Sequence, residues 1–392
     1  MARLRFTFSI PAFAVCLLLL LIGCSDDEGS VGGGSTPTDL IQVEFRNPIE
    51  IEIDPELQLA LLLHDRSSPS GPALQLIDLE AKQVLATQFI DYFDVYDVEF
   101  IDENQACFAG RPHGNVGYAV YFFDLETLTE VGEVMTADTS GTHGYLDVTD
   151  DDARVYYSHA GGGGKDAVYA ISTSSRSLID ADNDGVAPFG FDNALVAETF
   201  AGPARVFFDD ETESIVACNL NGGFVTVIDH SLWGNLQRGA DIAYPIPGVT
   251  RISTEHGSVA DVRADAVTFG AGIYGVAGTS GNVPYLSRFR IGFPGVDIVE
   301  PYTDRTWVYR NRDVKIHPRE DVFSMFVLQE DTSGVSIGQY RLSNLVEVAA
   351  SPYRTRHISE ETIAAVGLDV INDRLIVADR ESERLEIISI SP

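Results

Sequence analysis

Seven copies of one strand-and-turn grammar run through residues 40–392, and this repetition constrains the fold more than any other feature of the chain. The clearest copy is the last, GLDVINDRLIVADRESERLEIISI, which reads apolar strand, Asn-Asp turn, apolar strand, charged turn, alternating strand. The same order recurs in IEIDPELQLALLLHDRSSPSGPALQLIDLE, in VEFIDENQACFAGRPHGNVGYAVYFFDLE and in four further segments. The first turns are expected near Asp54, Asp102, Asp150, Asp209, Asp265, Pro318 and Asn372, 48 to 59 residues apart. Each interval holds four strands of about 5–8 residues bounded by Asp, Gly, Asn and Ser. Length alone would allow two or three domains, but no internal linker divides the repeats.

This grammar resembles the YVTN-type and NHL-like propeller repeats, although no literal YVTN is present. The resemblance implies an all-β, seven-bladed β-propeller of four-stranded blades, within the usual range of 4–8. The last copy ends at Pro392 without an outer strand, while LIQVEF (Leu40 to Phe45) has no partner in the first copy. Pairing Leu40–Phe45 with Leu385–Ile390 would complete the last blade, close the ring and remove an exposed edge. A six-bladed or open arrangement with a frayed N-terminus is the alternative.

In a propeller the innermost strand turns into the second on the bottom face, while the other connections near the channel lie on the top. On that basis His64, His113 and His159 follow the second strand of copies one to three, and His143, His256 and His357 enter inner strands. His230 and His317 fall on the bottom. His64, His113, His143, His159 and His256 thus form a candidate top-face site, because imidazole ligates metals and titrates near neutrality. Similar positions in a repeat also carry similar residues for purely structural reasons. Cys107 and Cys218 occupy equivalent strands two blades apart, too far for a disulfide, and are expected as buried free thiols.

The segment DADNDG, Asp180 to Gly185, resembles the start of an EF-hand-type or thrombospondin-like calcium loop. Asp180, Asp182 and Asp184 would surround a hard cation, and Gly185 would allow the sharp turn. Position 12 is Phe191 and not a bidentate Glu, so Asp192 would have to supply the last ligand. Calcium is the cofactor expectation; zinc is not favoured. The Gly-rich loops AGGGGKD, NLNGG and GTSGN lack the order of a phosphate cradle, and no C-x-x-C-H for haem occurs.

Residues 1–23 read as an export signal: Arg3 and Arg5 precede a mostly apolar run that ends Leu21-Ile22-Gly23-Cys24. That ending resembles the lipobox of bacterial lipoproteins, which implies lipidation of Cys24; the alternative is a short uncleaved anchor. Residues 24–39 form a flexible acidic Gly/Ser-rich tether, and the propeller occupies 40–392. An outer-membrane or cell-surface location is expected. The formal net charge of −33 becomes −35 once Arg3 and Arg5 are removed, which disfavours nucleic acid as a partner. The reading is a monomeric, lipid-anchored envelope module that binds a protein or glycan. The alternative is a lactonase-like or other metal-assisted hydrolase, working at the top of the channel.

Overall fold

The computed structural model describes residues 39–392 apart from 66–70, 114–116, 137–141, 162–165, 211, 220, 222, 237–245, 254–261, 271–272, 281–282, 290–296, 300–307, 318–323, 332–333, 343–345, 349–352 and 391–392. The leader, Cys24 and almost all of the tether lie outside the described residues. Thr38–Pro392 form one compact unit. Among the described residues no helix is long and apolar enough to cross a membrane.

Local chemistry explains the hairpins. In the first turns, Asp54, Asp102 and Asp369 each accept two backbone amides two and three residues ahead, as in Glu56 N and Leu57 N to Asp54 Oδ1, both 2.9 Å. The residue closing such turns has positive φ, as at Gln58 (56°), Asp152 (59°) and Asp373 (52°). Short hairpin loops built on a type I turn end in this way. The turn expected at Asp265 is corrected. The fifth inner strand runs through it, Val262–Gly270, and Asp265 is the extra residue of a bulge between Ala264 and Ala266.

The strands assemble as an all-β propeller of four-stranded blades. Each sheet is an antiparallel meander from an inner strand outwards. The inner strands are Pro48–Asp54, Tyr92–Phe100, Thr142–Val148, Pro203–Asp209, Val262–Gly270, Val308–His317 and Ile363–Asp369. Six sheets contain at least four strands, and the sheet of Val308–Arg341 contains three, so the count differs from seven equal blades. At that sheet's outer edge an irregular segment stands in for a strand: Tyr353 N bonds Ile337 O at 2.8 Å and Val348 N bonds Gln339 O at 2.9 Å.

The N-terminal strand Leu40–Gln42 adds to the outer edge of the last sheet, with Leu40 opposite Glu386, Ile41 opposite Leu385 and Gln42 opposite Arg384. The last sheet also packs on the first. Ile51 and Ile53 share a buried cluster with Ala365 and Ile376. Gly367 permits that approach, since a Cβ there would lie 2.5 Å from Ile53 Cδ1. Cys107 and Cys218 are buried free thiols.

Ile41 is fully buried at the joint between the two ends of the chain. Ile41→Ala is expected to cost about 2–5 kcal/mol in urea unfolding, whereas Leu85→Ala, on an exposed outer strand, should cost less than about 0.5 kcal/mol.

Candidate functional site

The inner strands bring charge together that no linear motif announces. Glu50 and Glu52 alternate with Ile51 and Ile53, which pack toward the last sheet. Asp97 and Glu99 lie on the second inner strand and Asp147 on the third. Arg205, on the fourth, donates to Glu50 Oε2 at 3.0 Å, and its guanidinium lies 4.4 Å over the Tyr145 ring. Lys315, on the sixth, places Nζ 3.9 Å from Glu50 Oε1 and 3.8 Å from Glu52 Oε2. Side chains from the fourth and sixth inner strands can both reach the first only if these strands face one another.

Burial dominates the protonation of this cluster. Glu50 and Asp97 are 5% and 1% exposed. Burial, then repulsion from Glu50, pushes Asp97 up to about 8 against the pull of Arg205 and the Leu146 amide. Burial also raises Glu99 and Asp147 well above the usual carboxylate range, and raises Glu52 less. The Cys107 thiol is pushed up by burial and by Glu99, Asp97 and Asp147, so it is an inert thiol. Two of the carboxylates also join neighbouring sheets: Asp97 Oδ2 accepts Leu146 N–H at 2.7 Å, and Asp147 accepts Phe208 N–H.

Beside this cluster a cavity of about 650 Å³ opens among the first turns of the first three sheets. Glu52 and Glu99 line it from the inner strands; Asp54, Glu56, Asp102, Glu103, Asp150 and Asp152 line it from the turns. These eight are half of its sixteen lining residues, and Lys and Arg are absent from the lining. Ile53, Pro55, Leu57, Phe100, Ile101 and Val148 supply apolar wall. Like charges repel across the turns: burial, then Asp102, Asp151 and Asp150, raises Asp152. The geometry offers acceptors for an extended cation with an aliphatic stem. It is not a metal cage, because among the described residues the channel acids form no group of three within ligand distance.

The described members of the expected histidine site, His64, His113 and His159, have these surroundings. His64 is fully buried, with Nδ1 3.1 Å from Arg46 O and Nε2 2.9 Å from Gln75 Oε1. His159 is buried against Tyr118, with ring centroids 4.8 Å apart. His113 is exposed, 3.5 Å from Asp91 Oδ1. These three have different neighbours, and no histidine joins a metal-competent group of three among the described residues. Equivalent positions in successive blades are carried apart by the rotation between blades. The His143 side chain and all of His256 lie outside the described residues.

Asp180, Asp182 and Asp184 do come together, with ligand atoms within 4.8 Å of one another. Asp192 does not join them; its Oδ1 accepts Ala194 N–H at 2.9 Å and Leu195 N–H at 2.8 Å. Calcium takes six to eight oxygens, so bidentate carboxylates, backbone carbonyls or water would have to complete a shell begun by these three groups. The acidic cavity has no contiguous motif, because its acids come from three separate copies of the repeat. Its trace in the sequence is an acid in the first turn of each of the first four copies, with a second just before it in the first three, at Glu52, Glu99 and Asp147.

No protein-family model matches the chain, and no curated protein matches it. Membership of the YVTN-type or NHL-like repeat families is therefore not supported. Among solved structures 1140 chains are similar, so the architecture is too widely shared to name an activity. One of them, Kuenenia stuttgartiensis hydrazine synthase, is 12% identical with a TM-score of 0.63, over 93% of this chain and 99% of that one. At this identity the likeness is one of fold alone.

An Asp that titrates near 4 when unfolded and at about 8 in the native protein contributes stability below about pH 4, and that contribution is lost as the pH rises to 8. Asp97→Asn keeps an oxygen for the Leu146 amide and removes the titration. The thermal midpoint of the variant should therefore fall less than that of the parent between pH 5 and pH 8; equal falls would exclude this role for Asp97.

Proposed function

We propose that this protein is a lipid-anchored, cell-envelope binding module: a seven-bladed ring, closed by its N-terminal strand, whose acidic cavity receives a cationic segment of a partner. The observation that carries this reading is the cavity of about 650 Å³ in which half of the lining residues are acidic and none is Lys or Arg. Its mixed acidic and apolar wall suits Lys or Arg side chains, whose stems pack on Leu57 and Phe100 while the heads meet carboxylates. The net charge of −33 would steer such a partner inward and repel nucleic acid. Pairing of Leu40–Gln42 with the last sheet, and packing of that sheet on the first, support the closed seven-bladed ring. The lipobox-like LIGC supports attachment through Cys24.

The hydrolase alternative has the raised channel carboxyls to draw on as general acids. It also needs metal-binding or proton-accepting imidazoles, and the described histidines of the candidate site do not meet. Binding is the better-supported reading.

A lysine decapeptide titrated calorimetrically into the protein should bind at 50 mM salt and weaken steeply at 300 mM; a glutamate decapeptide should not bind. Glu56→Gln with Glu103→Gln should weaken the lysine peptide about five- to thirtyfold, at on the order of 0.5–1 kcal/mol per rim charge. Glu80→Gln, on an exposed outer turn, should leave it unchanged. Independently, Cys24→Ser should abolish incorporation of labelled palmitate and move the protein out of the membrane fraction.

A further inference from the structure

The third and fourth sheets meet at a histidine that the acidic cavity does not use. His230 opens a single 3-10 turn, His230–Leu232, directly after the strand Phe224–Asp229 of the fourth sheet. Its Nδ1 lies 2.6 Å from the Tyr156 hydroxyl, and its Nε2 lies 2.6 Å from Arg154 Nη1. Tyr156 and Arg154 both stand on the third-sheet strand Arg154–Ala160. The imidazole is edge-on to Tyr156 and Phe208, and its backbone N–H donates to Glu213 O at 2.8 Å.

This geometry selects one protonation state. A guanidinium only donates, so Nε2 must be the bare, accepting nitrogen; Nδ1 then carries the proton and donates to Tyr156. Asp151 from the third sheet, Glu213 from the fourth-sheet hairpin and Asp229 beside the turn favour the cation, and Asp210 adds negative charge on the Tyr156 side. Burial, followed by Arg154, outweighs them and holds the histidine below its ordinary pKa.

The same short turn carries the long connection of the third sheet. The Trp233 indole N–H donates to Ile179 O at 3.2 Å, and Gly234 N–H donates to Ala181 O at 2.5 Å. The Trp233 ring packs on Tyr156 and Phe191, with centroids 5.9 and 5.7 Å away. A change at His230 therefore reaches Ile179–Ala181 through four residues of chain.

We propose that His230 is a pH-sensitive clamp between the third and fourth sheets, which frees the Trp233 turn and the Ile179–Ala181 connection when the imidazole takes up a second proton. Protonation sets two cations against each other and leaves Arg154 without its acceptor, so the guanidinium must leave and the turn loses its anchor. The folded value is depressed, so the clamp is intact above about pH 6.5 and is lost as the pH falls. The channel acids titrate in the opposite sense, which makes a local probe necessary.

Trp233 is that probe, since Trp307 is the only other tryptophan. In the full chain carrying Trp307→Phe, emission should shift to the red between pH 8 and pH 5 with a midpoint below 6.5, while far-ultraviolet dichroism stays constant. His230→Gln, which retains an acceptor for Arg154 but cannot titrate, should abolish the shift. Arg154→Gln should move the midpoint upward, because an opposing cation is gone. No shift in the parent, the same shift in His230→Gln, or an unmoved midpoint in Arg154→Gln would each overturn the clamp, and the last serves if His230→Gln does not fold.

Discussion

Among the described residues, sheets of this protein present two apolar faces, each covered by a neighbouring sheet. The strand Leu59–His64 shows the constraint within six residues. Ala60 and Leu62 pack with Ile376 and Ala378 of the last sheet, while Leu61 and Leu63 pack with Val98 and Phe108 of the second. Tyr156 and Tyr157 divide in the same way, the first toward the fourth sheet and the second toward the second. At roughly 25 cal/mol per Å² of apolar area removed from water, one uncovered sheet face would forfeit a large part of the net stability of a domain. The packing of the last sheet on the first follows from the same requirement.

The inner strands face a different problem. They carry Glu50, Glu52, Asp97, Glu99 and Asp147 among their apolar residues, and burial works against the charge on these acids. Some of these acids also satisfy backbone amides across the joints between sheets. Asp97 holds the Leu146 amide of the third sheet, and Asp147 repeats the arrangement toward Phe208 of the fourth. At the other end of the chain Glu386, 1% exposed, accepts the amides of Arg356, His357 and Ile358 at 2.7, 2.9 and 3.1 Å. A buried carboxylate with two or three such donors is stabilised by them, and its removal would orphan each amide.

Structure and charge are thus joined at the first turns of the first three sheets. Asp54 and Asp102, which close the first turns, also line a cavity without a compensating cation in its lining. The strain of those like charges is visible at Asp152, whose carboxyl is raised by its own burial and by its acidic neighbours. A cationic guest would relieve that repulsion, which gives the cavity a preference in sign that the widely shared fold does not supply.

Much of the architecture was legible in linear order. Strand period, turn chemistry at Asp54, Asp102 and Asn372, and the unpaired LIQVEF beside a short last copy all report local rules, and local rules are written in consecutive residues. Asp265 misled because an acid suits a bulge as well as a turn, and only pairing tells them apart. The site was decided by tertiary structure alone. Whether His64 meets a ligand or Gln75, and whether Glu50 meets Arg205 across 155 positions of chain, depends on the rotation from one sheet to the next. That rotation is the sum of small twists over whole sheets, and no short stretch of residues encodes it.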